Sequence, residues 1–139
     1  MNSEQPFIRW VMNAMRLDEV MNASQALAAA GDDPVVAEDL VKRFLAILAT
    51  ARADLKTAQA LQDEEQFRTR VHRLCSGGLY LGFEQVGMSA RTLETCLSSP
   101  ASLGKIAVAL AELNEAIQVV LEVGEAALLA WLKDEYVTH

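Results

Sequence analysis

The sequence predicts an all-α protein built on an antiparallel four-helix bundle with additional N-terminal helical segments. Three observations predict it. The 139 residues are 52% hydrophobic but only 6% aromatic, which puts the apolar mass in Ala, Leu and Val, residues that form or tolerate helix. Apolar residues recur at three- and four-residue intervals along most of the chain, and no alternating strand pattern competes. Turn residues fall between these stretches, and only three prolines interrupt the chain. The length suits one domain with one core, read as a helical extension over 1–17 and a bundle over 18–139.

From Pro6 to Leu17 the residues Phe7, Ile8, Trp10, Val11, Met12 and Met15 predict a short helix, apolar over much of its circumference, that must pack on something. A second helix is expected over Asp18 to Ala30, closed by Gly31 at the left-handed position that follows a helix. Asp33-Pro34 then supplies a cap and a proline for the first turn of a third helix. Its stripe is Val36, Leu40, Phe44, Ile47, Leu48, Ala51 and Leu55, and it runs to about Leu61. Asp63 followed by Gln66 resembles a capping box, opening a helix whose buried stripe is Phe67, Val71, Leu74, Gly78 and Leu81. Gly82 breaks it, and Phe83, Val86, Ala90, Leu93 and Leu97 line the next. Ser99-Pro100 repeats the cap-and-proline signal before a last, longest helix expected to carry Ile106, Leu110, Leu113, Ile117, Val120, Gly124, Ala127 and Trp131 on one face.

Charge and composition narrow the function. A net charge of −7 opposes the electrostatic attraction on which nucleic-acid binding rests. The longest apolar runs fall far short of the ~20 residues that cross a bilayer, and the start lacks the charged region of a signal peptide, so a cytoplasmic, free-standing protein without membrane association is expected. Cys75 and Cys96 have no CxxC partner and no histidine at ligand spacing, so neither a disulfide framework nor a metal site is expected.

Of the two histidines, His139 is the last residue, which leaves His72 to carry chemistry. It lies beside the stripe of its helix, not in it. Arg68, Thr69, Cys75, Ser76 and Leu79 share its face by the three- and four-residue rule. Gly77 and Gly78 cost roughly 1 kcal/mol each in a helix relative to Ala, which implies a close approach by another helix or by a partner. A neutral imidazole nitrogen is nucleophilic near neutral pH and can accept a phosphoryl group. Arg68, Arg70 and Arg73 offer cations nearby, and Arg68 and Arg73 are the candidates to offset the added charge.

The stretch Val71-His72-Arg73-Leu74-Cys75-Ser76-Gly77-Gly78-Leu79-Tyr80-Leu81-Gly82 resembles the signature of histidine-containing phosphotransfer (HPt) domains, in which His-x-Leu-Lys-Gly precedes small residues and a glycine ten positions after the histidine. The resemblance extends to Gly31-Asp32-Asp33-Pro34 before a long helix, to the Ala60-Leu61-Gln62-Asp63 turn and to Leu93-Glu94, covering roughly residues 18 to 135. It implies a phosphocarrier, not a stand-alone catalyst or an ATP-binding kinase. His72 would take a phosphoryl group from a receiver-domain aspartate and relay it to another in a two-component phosphorelay. The implied partners are receiver domains of response regulators or of a hybrid sensor kinase, which bring the Mg²⁺; the chain needs no cofactor of its own and is expected to be a monomer. Thr69, Cys75, Ser76, Gly77 and Leu79, with the exposed edge of the preceding helix, would form the docking surface.

The sequence departs from the family at two positions. Cys75 stands where the family has lysine, and Ser76 where it has glycine. Arg68 or Arg73 is expected to replace the missing cation. The alternative is an HPt-like docking module that regulates a partner without transfer. A third reading, a thiol enzyme using Cys75 and His72, lacks an orienting residue and an oxyanion hole recognisable in the sequence.

Overall fold

The computed structural model describes residues 17–99 and 102–137, so the expectations for Pro6 to Arg16, Pro100 and His139 lie outside the described residues. Among the described residues the protein is all-α, without strands. Residues 17–20 are helical, followed by α1 (Ala23–Ala29), α2 (Pro34–Ala60), α3 (Glu64–Leu81), α4 (Glu84–Ser98), α5 (Leu103–Val123) and α6 (Glu125–Val137).

The helix expected over Asp18 to Ala30 is divided at Met21 and Asn22. Met21 is fully buried, and the Asn22 backbone N–H donates to the Gly82 carbonyl at 2.9 Å. The Asn22 side chain then caps α1, accepting from the Gln25 N–H at 3.0 Å. Gly31 takes φ +65, as its position after the helix predicts.

Asp33 caps α2 by accepting from the Val35 and Val36 N–H groups at 3.0 and 3.3 Å, with Pro34 in the first turn. This helix, at 27 residues, is longer than α5, at 21. Ala37, Val41, Phe44, Leu48, Ala51, Leu55 and Ala58 are its buried face. Val36 and Ile47, expected in that stripe, are 43% and 46% exposed. Each precedes a buried residue by one position, which turns it about 100° away from the core.

Asp63 caps α3 through the Gln66 N–H at 3.0 Å, and the predicted stripe of Phe67, Val71, Leu74, Gly78 and Leu81 is buried. Gly82 ends the helix at φ +85, a left-handed conformation glycine adopts without steric penalty. Phe83 precedes α4 with its ring buried against Phe44, centroids 5.2 Å apart. The expected Ser99 cap is corrected: Ser99 closes α4, and Ser102 opens α5 by accepting from the Lys105 N–H at 3.1 Å.

The expected single last helix is also corrected. Gly124 takes φ +87 and ψ 158, ending α5 and starting α6 in a new direction. The bend lets α6 pack on α1 and α2, where the Trp131 indole N–H donates to the Met21 carbonyl at 3.1 Å. Elsewhere α3 packs on α2 and most extensively on α4, and α4 packs on α5. Their buried faces form a core that includes Val41, Leu48, Leu74, Phe83, Leu93, Leu113 and Ile117. No polar or charged residue among those described is buried, and no described helix is long and apolar enough to cross a membrane.

Candidate functional site

The buried stripe of α3 fixes where His72 points. Val71 is fully buried, and the next residue along a helix is turned about 100° from it. The His72 side chain is therefore 65% exposed, at the edge of the contact between α3 and α4. On α4 the same logic applies: Leu93 is fully buried, and Glu94 follows it with 34% of its side chain exposed. The two side chains meet across the helices, His72 Nδ1 lying 2.7 Å from Glu94 Oε2.

This contact sets the state of the ring. An ionised carboxylate only accepts, so Nδ1 carries a hydrogen and donates it to Glu94. In the neutral ring Nε2 then holds the lone pair, and it has no hydrogen-bond partner among the described residues. The site therefore presents an exposed nucleophilic nitrogen whose opposite side is braced by an anion. A carboxylate held at Nδ1 would stabilise positive charge developing on the ring in any reaction at Nε2.

The gap between α3 and α4 is set by two glycines. A Cβ on Gly78 would lie 2.8 Å from the Gly87 backbone nitrogen, and one on Gly87 would lie 2.7 Å from Leu79 Cδ2. Gly77 performs the same service toward α2: its Cβ would lie 2.7 Å from the Phe44 ring. The glycine pair thus serves helix approach inside the protein.

The remaining expected site residues divide by burial. Thr69 and Ser76 are exposed, the Ser76 hydroxyl donating back to the His72 carbonyl at 3.0 Å. Leu79 is half-buried against Gly87, and Gly77 is half-buried under Phe44. Cys75, expected on the docking surface, is only 7% exposed and belongs to the core. The physical reason is its register, four positions after Val71 and three before Gly78, both buried.

Arg68 lies one turn before His72, with its guanidinium donating to the Leu97 carbonyl at the end of α4 and pairing with Glu64 at 3.3 Å. It thereby satisfies a carbonyl that the helix end leaves without an internal partner. Arg70 reaches Asp54 on α2 at 3.3 Å. Arg73 is exposed and makes no ion pair among the described residues. With Ile47, Thr50, Asp54 and Arg70 it lines a hollow of about 280 Å³ between α2 and α3. No group of side chains that could hold a metal ion occurs among the described residues.

Glu94 is the site residue that spacing along one helix did not reveal, since it stands 22 positions from His72. A signal was present, because each of the two directly follows a buried residue on consecutive helices. In comparisons with known proteins the chain matches no family model, no curated protein and no solved structure.

Proposed function

We propose that the chain is a histidine phosphotransfer protein, in which His72 takes a phosphoryl group from an aspartyl phosphate on one receiver domain and passes it to an aspartate on another. The observation that carries this reading is the exposed His72 ring held at 2.7 Å by Glu94, with Nε2 left to react. In the forward step Nε2 forms the N–P bond, the acyl P–O bond breaks, and the receiver aspartate leaves as a carboxylate. No proton need move, because Nδ1 keeps its hydrogen throughout. In-line phosphoryl transfer is mainly positioning and charge stabilisation, and the receiver's Mg²⁺ would supply most of the latter.

Within this reading α2 to α5 form an antiparallel four-helix bundle that holds His72 on its side. Arg73 is the cation available to the phosphorylated ring, since Arg68 is already bound at the end of α4. The receiver docks over Thr69, Ser76 and Leu79 and over Ile47 on the edge of α2. The setting is a cytoplasmic two-component phosphorelay.

A second reading rests on one specific observation. Cys75 is buried where the resemblance calls for a lysine, which favours a docking module that binds a receiver without transfer. The test is incubation of phosphorylated receiver domains with Mg²⁺ and wild-type protein, His72→Gln or Glu94→Ala. Relay predicts acid-labile, base-stable label on wild type, none on His72→Gln, and uptake slowed about tenfold to a hundredfold in Glu94→Ala, the usual range for losing an orienting partner. Measurable binding with no label from any receiver would leave the docking reading alone.

A further inference from the structure

A groove of about 670 Å³ runs between α4 and α5 and contains no residue of the His72 site. The two helices bury Val86, Ala90 and Leu93 on α4 and Ala109, Leu113 and Ile117 on α5. The apolar surface of α5 exceeds what that stripe uses. Val108, Ala111 and Val119 lie outside it and line the groove with Met88 of α4. Val108 and Met88 are 60% and 49% exposed. An apolar strip left open between two packed helices and rimmed by charge marks a surface for a partner.

Shape and charge say which partner. From Val108 to Val120 the groove follows about 18 Å of α5, the length of about twelve residues of a second helix. An apolar trough of that kind takes an amphipathic helix whose apolar residues recur at three- and four-residue spacing. Glu19, Glu112 and Glu115 stand exposed along it and make no ion pair among the described residues. No lysine or arginine among the described residues lines it. A second copy of this chain would set these glutamates against their own counterparts across a two-fold axis, which like-charge repulsion opposes. A helix with lysine or arginine beside its apolar stripe turns the same carboxylates into an attraction.

We propose that this groove docks a basic amphipathic helix of another protein, its apolar stripe on Val108, Met88 and Val119 and its cations on Glu19, Glu112 and Glu115. The surface is separate from the His72 site, so docking here holds the chain to a partner while the histidine stays exposed.

The probe is a synthetic peptide of about 14 residues, with Leu at every third and fourth position and Lys and Arg between, beside a counterpart with Glu in place of the cations. Each is titrated into the full-length chain carrying ¹³C-methyl methionine, with Met88→Leu and Met21→Leu assigning those two resonances. The basic peptide should bind with a Kd on the order of 10–100 µM and shift the Met88 methyl, leaving the buried Met21 methyl in place. Glu112→Gln with Glu115→Gln should weaken binding about fivefold, the effect of two exposed ion pairs. Val108→Ser should weaken it about tenfold, the loss of one apolar contact. All three positions are exposed, and an unshifted Met21 methyl in each variant reports an intact core. No binding at about 1 mM would overturn the proposal, as would unchanged affinity in both variants or equal affinity for the acidic peptide. A Met88 methyl that the basic peptide leaves unmoved would place binding elsewhere and overturn it. A Met88 methyl that changes on dilution of the free chain would assign the groove to a second copy and also overturn it. So would a Met88 methyl shielded from a soluble paramagnetic agent before peptide is added, since the groove would then be filled already.

Discussion

Replacing Gly78 with alanine puts a methyl group where α3 and α4 touch. The new Cβ would sit 2.8 and 2.9 Å from the Gly87 nitrogen and Cα and 3.1 Å from the Phe83 carbonyl oxygen. All three are backbone atoms and cannot rotate away. Carbon contacts relax at about 3.5 Å or more, so the helices must part locally by about 0.7 Å. Overpacking of this kind costs ~1–3 kcal/mol, and the better helix propensity of alanine returns up to ~1 kcal/mol. A net loss of about 1–2 kcal/mol should lower Tm by about 4–8 °C for a chain of this size.

Thermal unfolding followed by circular dichroism, with urea titration for the free energy, measures the stability term. Gly104→Ala is the control, since its Cβ would meet only Ser102 Oγ at 3.7 Å, and it should be neutral or stabilising by a few tenths of a kcal/mol. A Gly78→Ala protein as stable as wild type would refute the claim that backbone contact sets the spacing of these helices.

Further outcomes follow from burial and capping. Iodoacetamide should label Cys96 faster than Cys75, because Cys75 is buried and Cys96 only half-buried; rapid labelling of Cys75 in the folded protein would revive the thiol reading. Gly82→Ala should destabilise by about 2–3 kcal/mol in urea titrations, more than Gly78→Ala, because φ is +85 and the new Cβ would lie 2.5 Å from the Asn22 carbonyl oxygen. Asp63→Ala removes the acceptor for the Gln66 N–H and should cost ~1 kcal/mol by the same titration. Equal stability to wild type would mean that water or a neighbour replaces that cap.

Much of the helical layout was legible because its signals are local. Asp33-Pro34, Asp63 with Gln66, and Gly82 each act within a few residues, and each marks the boundary the sequence predicts. Where two local signals compete, packing decides. Ser99 and Ser102 are both plausible caps, and Ser102 opens α5. Gly124 fits the helical period of its neighbours but supplies the bend that turns α6 onto α1 and α2. Asn22 carried a cap signature with Gln25, hidden in a run of alanines that also reads as continuous helix. The site divides in the same way. His72 and its exposure follow from the stripe of one helix, whereas its bond to Glu94 depends on how two helices meet. Cys75 was ambiguous because it lies at helical spacing both from His72 and from the buried Val71.

The contact between Trp131 and Met21 has a consequence for how the chain folds. The indole N–H and the carbonyl it binds are 110 positions apart, whereas α3 and α4 follow one another directly and pack at short loop length. Short-range pairings close quickly, and distant ones bear the larger entropy of loop closure. During synthesis the helix pair that carries His72 and Glu94 can therefore assemble while α6 is still within the ribosome. The contact that joins Met21 to Trp131 can form only once α6 has emerged, when His72 can already have its partner.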